Sequence, residues 1–305
     1  MLKISLILGA CCLALAPYSI AGAAGSASLD TAAIEAATGL KGTFNKEENV
    51  FKVSKPRTDV AISVADWKMS PFMGLTSWAA FTPAHDGMAM LMGDTVLFED
   101  EVNPVMSVAL ENGLEVTALH NHFFFDKPKV YFMHIGGMGD AAALAAAVKK
   151  VYGKVAEIRA AHPEPQSDFE GSHIGSPNHI SGAPLEKILG HHGQAKDGMF
   201  KIVIGRTTTM RDTSVGNEMG VNTWAAFAGT DNQAVVDGDF AMKESELQSV
   251  LKAMRHQGIN IVALHQHMNM EQPRILFLHY WGWGKADQLA QSLGNVLQAQ
   301  STAAK

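Results

Sequence analysis

The chain has 305 residues, and its 24 lysines and arginines against 30 aspartates and glutamates give a formal net charge of −6. Hydrophobic residues make up 47% of it and the mean hydropathy is +0.03, which is typical of a globular chain with one large domain or two of ordinary size. Because no basic face is expected, nucleic acid and anionic membranes are disfavoured as partners. The tripeptide HNH at residues 120–122 is therefore no argument for a nuclease.

The first 23 residues have the features of an export signal. Lys3 precedes the apolar run ISLILGACCLALA, and Ala21-Gly22-Ala23 suits signal peptidase. We therefore expect residues 1–23 to be a cleaved signal peptide, and the mature protein to be periplasmic or secreted, with no transmembrane segment. The alternative is a lipobox at Leu8-Gly9-Ala10-Cys11, which would anchor a lipoprotein through Cys11.

Both cysteines, Cys11 and Cys12, lie inside this segment. A mature chain that begins near Ala24 would have no thiol, which excludes disulfides, zinc-thiolate sites and cysteine nucleophiles. Any metal would then be held by histidine, carboxylate or methionine. The chain also lacks a GxSxG elbow, an HExxH helix and a glycine-rich phosphate loop, so no common catalytic motif defines an activity.

Two copies of one module account for most of the chain. TSWAAF in the first copy recurs as NTWAAF in the second, and ALHNH recurs as ALHQH. The copies extend over residues 30–155 and 183–300. Between them, residues 156–182 are rich in Pro, Gly, Ser and His and are expected to be a surface linker whose histidines are solvated.

Each copy follows a pattern of strand, strand, helix, strand, strand, helix. In the first copy the apolar spacing over residues 99–112 predicts a helix, and Gly153 is expected to end a second helix. Hairpins are predicted around Lys127 and, in the second copy, around Gln272. The sequence therefore predicts an α+β fold in which two tandem β-β-α-β-β-α modules have antiparallel sheets.

Three histidines recur in each copy with identical spacing: His120, His122 and His134 in the first, and His265, His267 and His279 in the second. Alternation along a strand places the first two of each set on one face. A hairpin symmetrical about Lys127 would set the third opposite the first, with Cα atoms about 4.5 to 5.5 Å apart. Converging neutral imidazoles predict a transition-metal site with an open position, with zinc or copper as the preferred ion. The alternative is a set of hydrogen-bonded histidines in a buried sheet.

Carboxylates are the natural partners of the second ring nitrogen of a metal-bound histidine. The candidates for this second shell are Asp94, Glu99 and Glu101 in the first copy and Asp239, Glu244 and Glu246 in the second. For Glu99 and Glu101, an alternative role is favourable placement at a helix N-terminus.

Two sets of apolar residues near the histidines are predicted to belong to the core. Trp78 and Trp224 lie in apolar strands, which favours packing over ligand contact. Met88, Met90 and Met92 alternate along one strand. Thioethers can select copper(I), but methionine is also an adaptable core residue, and the core interpretation is favoured.

The segments FKVSKPRTDV, TSWAAF, MGDTVLFEDEVNPVM, ENGLEVTALHNH and YFMHIGGMGD together resemble the LppY/LpqO family of uncharacterised exported bacterial proteins. The resemblance covers both copies and implies export, with lipid anchoring in some members, but it implies little about activity. The family's ALHNH and MH segments fall on the three histidines of the first copy. The second copy departs by having Gln266 in place of Asn121 and Trp281 in place of Gly136, so the two sites need not be equivalent.

The sequence leaves three hypotheses for function. The first is a metal-binding protein that sequesters or delivers a transition metal. The second is a metal-dependent enzyme, a hydrolase or oxygenase, with Glu101 or Asp94 as base. The third is a metal-free module that binds a small molecule in a cleft shared by the two copies. A protein that sequesters or delivers a metal can tolerate two sites that differ, so the differences between the copies favour the first hypothesis.

Overall fold

The computed structural model of the chain describes residues 29–169 and 177–303. The predicted signal peptide, with Cys11 and Cys12, lies outside these described residues. Within them, no helix is both long and apolar enough to cross a membrane.

The two repeats contain the same elements in the same order. The first has α1 (Thr31–Thr38), β1 (Gly42–Asn45), β2 (Val50–Pro56), β3 (Ser63–Val64), β4 (Trp67–Lys68), β5 (Thr76–Pro83), β6 (Ala89–Phe98), α2 (Glu99–Glu111), β7 (Glu115–His120), β8 (Asp126–Lys127), β9 (Val130–Gly139) and α3 (Ala141–Ala161). The second has α4 (Gly182–Leu189), β10 (Gly193–Lys196), β11 (Met199–Gly205), β12 (Thr208–Met210), β13 (Thr213–Val215), β14 (Asn222–Thr230), β15 (Gln233–Lys243), α5 (Leu247–His256), β16 (Asn260–His265), β17 (Glu271–Gln272), β18 (Ile275–Gly284) and α6 (Ala286–Ala303). Each repeat therefore begins with a helix and a hairpin that the predicted six-element pattern did not include.

One large sheet runs through both repeats. Its strands lie in the order β1-β2-β5-β6-β9-β7-β16-β18-β15-β14-β11-β10. The repeats meet where β7 pairs with β16, at Leu119 opposite Leu264. Two small sheets, β4-β3-β8 and β13-β12-β17, accompany the large one. The fold is thus mixed α and β with mostly antiparallel sheet, as the sequence predicted at this coarser level.

The helices cover one face of the large sheet. Alternate strand residues such as Phe81 and Leu91 share one hydrophobic core with Ile34 of α1 and Val148 of α3, because residues two apart in a strand point to the same side. The intervening residues of β5, β6 and β9 therefore point to the opposite face, where Met90 and Met92 are exposed and Val96, Phe98 and Phe132 are buried in a separate small cluster. We call this the open face.

The last helix of the first repeat is longer than its sequence indicated. α3 passes through Gly153 and ends at Ala161, so the first part of the predicted linker is helical. Val155 and Arg159 in this added stretch are buried. Val155 continues the apolar stripe of the helix and Arg159 forms ion pairs with Asp100 and Glu101, which together outweigh the cost of about 1 kcal/mol that one glycine imposes.

The predicted core positions of the tryptophans and methionines are wrong. Trp78 and Trp224 are half-buried on the open face, where the Nζ atoms of Lys52 and Lys201 lie 4.2 Å and 4.1 Å from their ring centroids. Two of the alternating methionines of β6 are exposed on this face. Alternation shows which residues share a face, but it does not show whether another layer covers that face.

Candidate metal site

The histidines of the first repeat lie on the open face, in a register that differs from the predicted one. Ala118 is opposite His134 and His120 is opposite Phe132, so the predicted direct pairing of His120 with His134 is wrong by two residues. The reason is that residues 126–127 form β8 and pair with β3, which moves the centre of the hairpin. A shift of two residues preserves the face of every side chain, and the histidines still lie on one side.

The second repeat has the same register and the same correction. Ala263 is opposite His279, and His265 is opposite Phe277. In both repeats the second histidine lies just past the end of its strand and stacks on the phenylalanine that faces the first. The ring centroids are 3.3 Å apart for His122 and Phe132 and 3.5 Å apart for His267 and Phe277.

The three rings of each set are close neighbours. In the first repeat the ring centroid of His120 lies 5.1 Å from that of His122 and 5.1 Å from that of His134. In the second, the centroid of His265 lies 5.0 Å from that of His267 and 4.8 Å from that of His279. The fold therefore brings together each predicted set of three.

An aspartate from the adjacent strand faces each set of histidines. Asp94 of β6 lies opposite His134, and Asp239 of β15 lies opposite His279. Both aspartates are buried. These two second-shell candidates therefore lie beside the histidines. In the second repeat the aspartate is close enough to be a direct ligand.

The second repeat holds the tighter cluster. The Nε2 atom of His267 is 3.2 Å from Oδ2 of Asp239, and Nε2 of His265 is 3.6 Å from Oδ1. Among the residues that the structure describes, only this trio has three potential ligand atoms that all lie within 4.8 Å of one another. The first repeat is the looser version of the same arrangement.

Backbone carbonyls orient two of the rings in the second repeat. Nδ1 of His267 is 3.2 Å from the carbonyl oxygen of Gly220, and Nδ1 of His279 is 3.2 Å from that of Gly238. A carbonyl oxygen can only accept, so each Nδ1 carries the proton and donates. In a neutral ring Nε2 then presents a lone pair. For His267 this lone pair faces the carboxylate of Asp239.

In each repeat the aspartate of the cluster and the first histidine each leave one polar atom buried without a hydrogen-bond partner among the described residues. They are Oδ1 of Asp94 and Nδ1 of His120 in the first repeat, and Oδ1 of Asp239 and Nε2 of His265 in the second. Buried polar side-chain atoms in native proteins are mostly paired, and each exception calls for an explanation such as a bound water or ion. The same two residues are unsatisfied in both copies, through Nδ1 of His120 and Nε2 of His265, and a cation beside them would satisfy both.

Burial changes the proton affinities of two members of the first set, and only the change at His122 favours metal binding. It raises the pKa of Asp94, while the nearby His134, His122 and His120 act against that rise. Burial also lowers the pKa of His122, with Asp94 opposing. The ring of His122 is therefore neutral, as a metal ligand must be, over a wider pH range than an ordinary histidine.

Glu101 and Glu246 are not partners of the histidines, and this part of the prediction is corrected. Glu101 accepts two hydrogen bonds of 2.6 Å from Arg57 and one from the backbone N–H of Phe98 at the start of α2. Glu246 makes the equivalent pair with Arg206, at 2.7 Å and 3.0 Å. Glu101 thus neutralises the buried Arg57, Glu246 neutralises the partly buried Arg206, and the alternative role at a helix N-terminus applies to Glu101.

The two remaining acidic candidates also lie away from the rings. Glu244 is exposed in the turn that precedes α5. Glu99 lines a cleft of about 560 Å³ between the repeats, together with Tyr131, Arg255 and His279. Sequence reasoning missed this cleft, because its walls come from segments that are more than 100 residues apart, and only the shared sheet brings them together.

Taken together, fold and site define a protein of mixed α and β structure with two repeats, each of which places one aspartate and three histidines on the open face. The chain belongs to the family described as Domain of Unknown Function (DUF1259), whose model matches residues 32–154 and 183–299. No curated protein shows a significant match to it.

Two solved structures show weak similarity to this chain. A fused permuted hexameric shell protein from the RMM microcompartment is 14% identical over 74% of this chain and 87% of its own, with a TM-score of 0.21. The trimeric bacterial microcompartment shell protein PduB is 9% identical over 85% of this chain and 89% of its own, with a TM-score of 0.17. At these TM-scores, neither similarity carries a conclusion about fold or function.

Proposed function

We propose that the protein binds a transition metal ion in each repeat and acts in sequestration or delivery of that metal. The ligands in the second repeat are Asp239, His265 and His267, with His279 beside them. The corresponding residues of the first repeat are Asp94, His120, His122 and His134. Zinc and copper(II) are the preferred ions, because mixed imidazole and carboxylate donors suit both.

The contact between His267 and Asp239 is the observation that carries this proposal. With Nδ1 bonded to the carbonyl of Gly220, a neutral His267 turns a lone pair toward a carboxylate oxygen only 3.2 Å away. Two acceptors at this distance repel each other unless a cation lies between them. Ligands about 2.1 Å from a tetrahedral zinc ion lie about 3.4 Å from each other, which matches the observed 3.2 Å and 3.6 Å. A proton on His267 is the competing explanation.

A bound ion at this position would act as a Lewis acid and lower the pKa of a coordinated water. The side chains of His265 and His267 are 29% and 32% exposed, so solvent reaches the site from the open face. This access supports the second candidate, a metal-dependent hydrolase or oxygenase. It also suits a protein that must release its metal to a partner.

A third candidate is a metal-free module that binds a small molecule. The cleft between the repeats supports it, since His279 contributes to both the cleft and the cluster. Metal binding is nevertheless favoured, because a small molecule in the cleft would not satisfy the buried atoms of the first repeat.

Equilibrium dialysis against Zn²⁺ and Cu²⁺ at neutral pH, followed by elemental analysis, tests the proposal. We expect one ion per repeat in the unaltered chain. His267→Ala should remove the ion of the second repeat, and His122→Ala that of the first. The control is His192→Ala, a side chain that is 99% exposed in the second repeat and should leave both ions in place. An unaltered chain that binds neither metal would favour the protonated His267.

Export remains part of this proposal, as does the resemblance to the LppY/LpqO family. Mass spectrometry of the protein from its native host tests both forms of the export prediction. A mature chain that begins near Ala24 supports cleavage by signal peptidase. An acylated Cys11 supports the lipoprotein alternative.

A further inference from the structure

Three methionines are exposed together on the open face of the first repeat. Met90 is 39% exposed, Met92 is 61% exposed and Met138 is 46% exposed. Single exposed apolar side chains are ordinary on protein surfaces, but a contiguous cluster indicates a binding function. The equivalent positions of the second repeat show whether the fold itself requires these side chains.

The sheet register places the three side chains next to one another. Met90 of β6 lies directly opposite Met138 of β9, and Met92 lies opposite Gly136. Directly opposite positions have Cβ atoms about 4.5 to 5.5 Å apart, and diagonal neighbours such as Met92 and Met138 about 7 to 8 Å. A methionine side chain has three rotatable bonds. The three sulfur atoms can therefore converge above the sheet.

A trough of about 280 Å³ lies at this place. Met90, Met92 and Met138 line it together with Glu115, and His134 of the histidine site lies at its edge. Gly136 contributes no side chain, although an added Cβ would meet only ordinary contacts, the nearest 3.5 Å away. The trough is therefore open because residue 136 is a glycine, although the backbone there could accommodate a side chain.

The second repeat has the same backbone but no such site. Val235 and Asp237 replace the two methionines of the first strand, and Trp281 and Trp283 replace Gly136 and Met138. Asp237 lies opposite Trp281 and Val235 lies opposite Trp283, so the second repeat has indole side chains and no thioether at these positions. Because this sheet folds without the methionines, the fold does not require them.

We infer that Met90, Met92 and Met138 form a binding site for copper(I) on the first repeat. Thioether sulfur is a soft, uncharged ligand that selects copper(I) over zinc and other harder ions. Three such donors can hold a monovalent ion in trigonal coordination near the surface, where a partner can exchange it. This site is separate from the histidine sites and does not depend on their holding metal.

Anaerobic titration of the full chain with copper(I), in competition with bicinchoninate, tests the inference. The test variant is M90L/M92L/M138L, which keeps the size and apolar character of each exposed side chain and removes the sulfur. The matched control is M199L/M219L, whose methionines are also exposed but lie in the second repeat. We expect the unaltered chain and the control to hold one copper(I) ion each, and the triple variant to lose it.

A second measurement identifies the atoms involved. With methionine methyl groups labelled with ¹³C, addition of Ag⁺ as a redox-inert substitute should shift the resonances of Met90, Met92 and Met138. The variant H120A/H122A, which lacks two ligands of the adjacent histidine site and keeps His134 beside the trough, should still bind copper(I). If it loses copper(I), or if the triple variant retains it, the thioether site is wrong. A zinc measurement on the same samples reports separately on the histidine sites.

Discussion

Asn103 and Gln248 occupy equivalent positions in the two repeats, and each bonds to the backbone of the other repeat. The side-chain amide of Asn103 accepts from the N–H of Ile261 at 2.8 Å and donates to its carbonyl at 3.1 Å. Gln248 accepts from the N–H of Val116 at 3.1 Å and donates to its carbonyl at 2.9 Å. Val116 and Ile261 are themselves equivalent, 145 residues apart. The repeats thus meet through a reciprocal contact, as the subunits of a two-fold dimer do.

These amides replace the backbone partners that a longer strand pairing would supply. β7 and β16 pair at Leu119 and Leu264, and a register irregularity follows Val116 and Ile261 in their own ladders. Asn103→Ala should leave the backbone groups of Ile261 without protein partners and cost about 2 kcal/mol of unfolding free energy. Urea denaturation measures this loss.

Hydrogen exchange gives the specific readout for the same contact. In Asn103→Ala the amide of Ile261 should exchange faster, while that of Val116 stays protected by Gln248. Gln248→Ala should give the reverse pattern, with a smaller loss of stability because Gln248 is less buried than Asn103. Equal protection of both amides in both variants would mean that the contact does not hold the repeats together.

The sequence predicted which histidines share a face better than it predicted what surrounds them. Identical spacing and strand alternation were enough to place each set of histidines on one face. The hairpin register could not be predicted, since β8 pairs with β3, a strand more than 60 residues earlier. The histidines still lie on the predicted face only because the error in the hairpin register was an even number of residues.

The roles of the acidic residues show a second limit. Spacing could not distinguish Asp94, which lies beside histidines, from Glu101, which binds an arginine 44 residues earlier in the chain. Both are acidic and both are buried. The difference lies in the strand pairing of β5, β6 and β9, which depends on tertiary structure and not on local pattern.

Glu246→Gln is expected to destabilise the second repeat by about 3 kcal/mol at neutral pH, because it leaves the charge of Arg206 without its partner. This is the low end for a buried pair, since the side chain of Arg206 is 21% exposed. The control is Glu244→Gln, on an exposed neighbour, with a change within about 0.5 kcal/mol. Denaturant unfolding compares the two.

The same pair predicts a pH dependence of stability. Burial alone would raise the pKa of Glu246, but its bonds to Arg206, Lys243 and Gln300 lower it below the ordinary 4.5. An acid with a lowered pKa in the folded state contributes stability above its unfolded pKa and loses it as pH falls through the folded value. The difference between the unaltered chain and Glu246→Gln should therefore shrink below about pH 4.5. A constant difference down to strong acid would contradict the role of this charge.

Metal binding should weaken as pH falls through the ordinary histidine range near about 6.5, because ligating imidazoles must be neutral. In the first repeat, His122 should resist protonation longer than an ordinary histidine, since burial lowers its pKa. Zinc titrations by calorimetry at several pH values measure the affinity and the protons released. Affinity that is independent of pH from about 7.5 to 5 would show that the histidines are not ligands.

Asp94→Asn should stabilise the metal-free protein and reduce its stabilisation by metal. Burial raises the pKa of Asp94 above the ordinary 3.8, so the folded state holds this proton more tightly than the unfolded chain does. Stability then falls as pH rises from 3.8 through the folded pKa, and at neutral pH the ionised, buried carboxylate is a cost of folding. An amide of the same shape removes that cost.

Thermal unfolding of the chelator-treated protein at neutral pH, with and without added Zn²⁺, measures both effects of Asp94→Asn. We expect a higher Tm than in the unaltered chain before zinc is added, and a smaller rise in Tm afterwards, because the first repeat no longer binds an ion that favours the folded state. Asp86→Asn, on an exposed aspartate of the same repeat, is the control and should change neither value. A lower Tm for metal-free Asp94→Asn would mean that the carboxylate is needed for structure, and that its burial beside the histidines serves the fold rather than a metal ion.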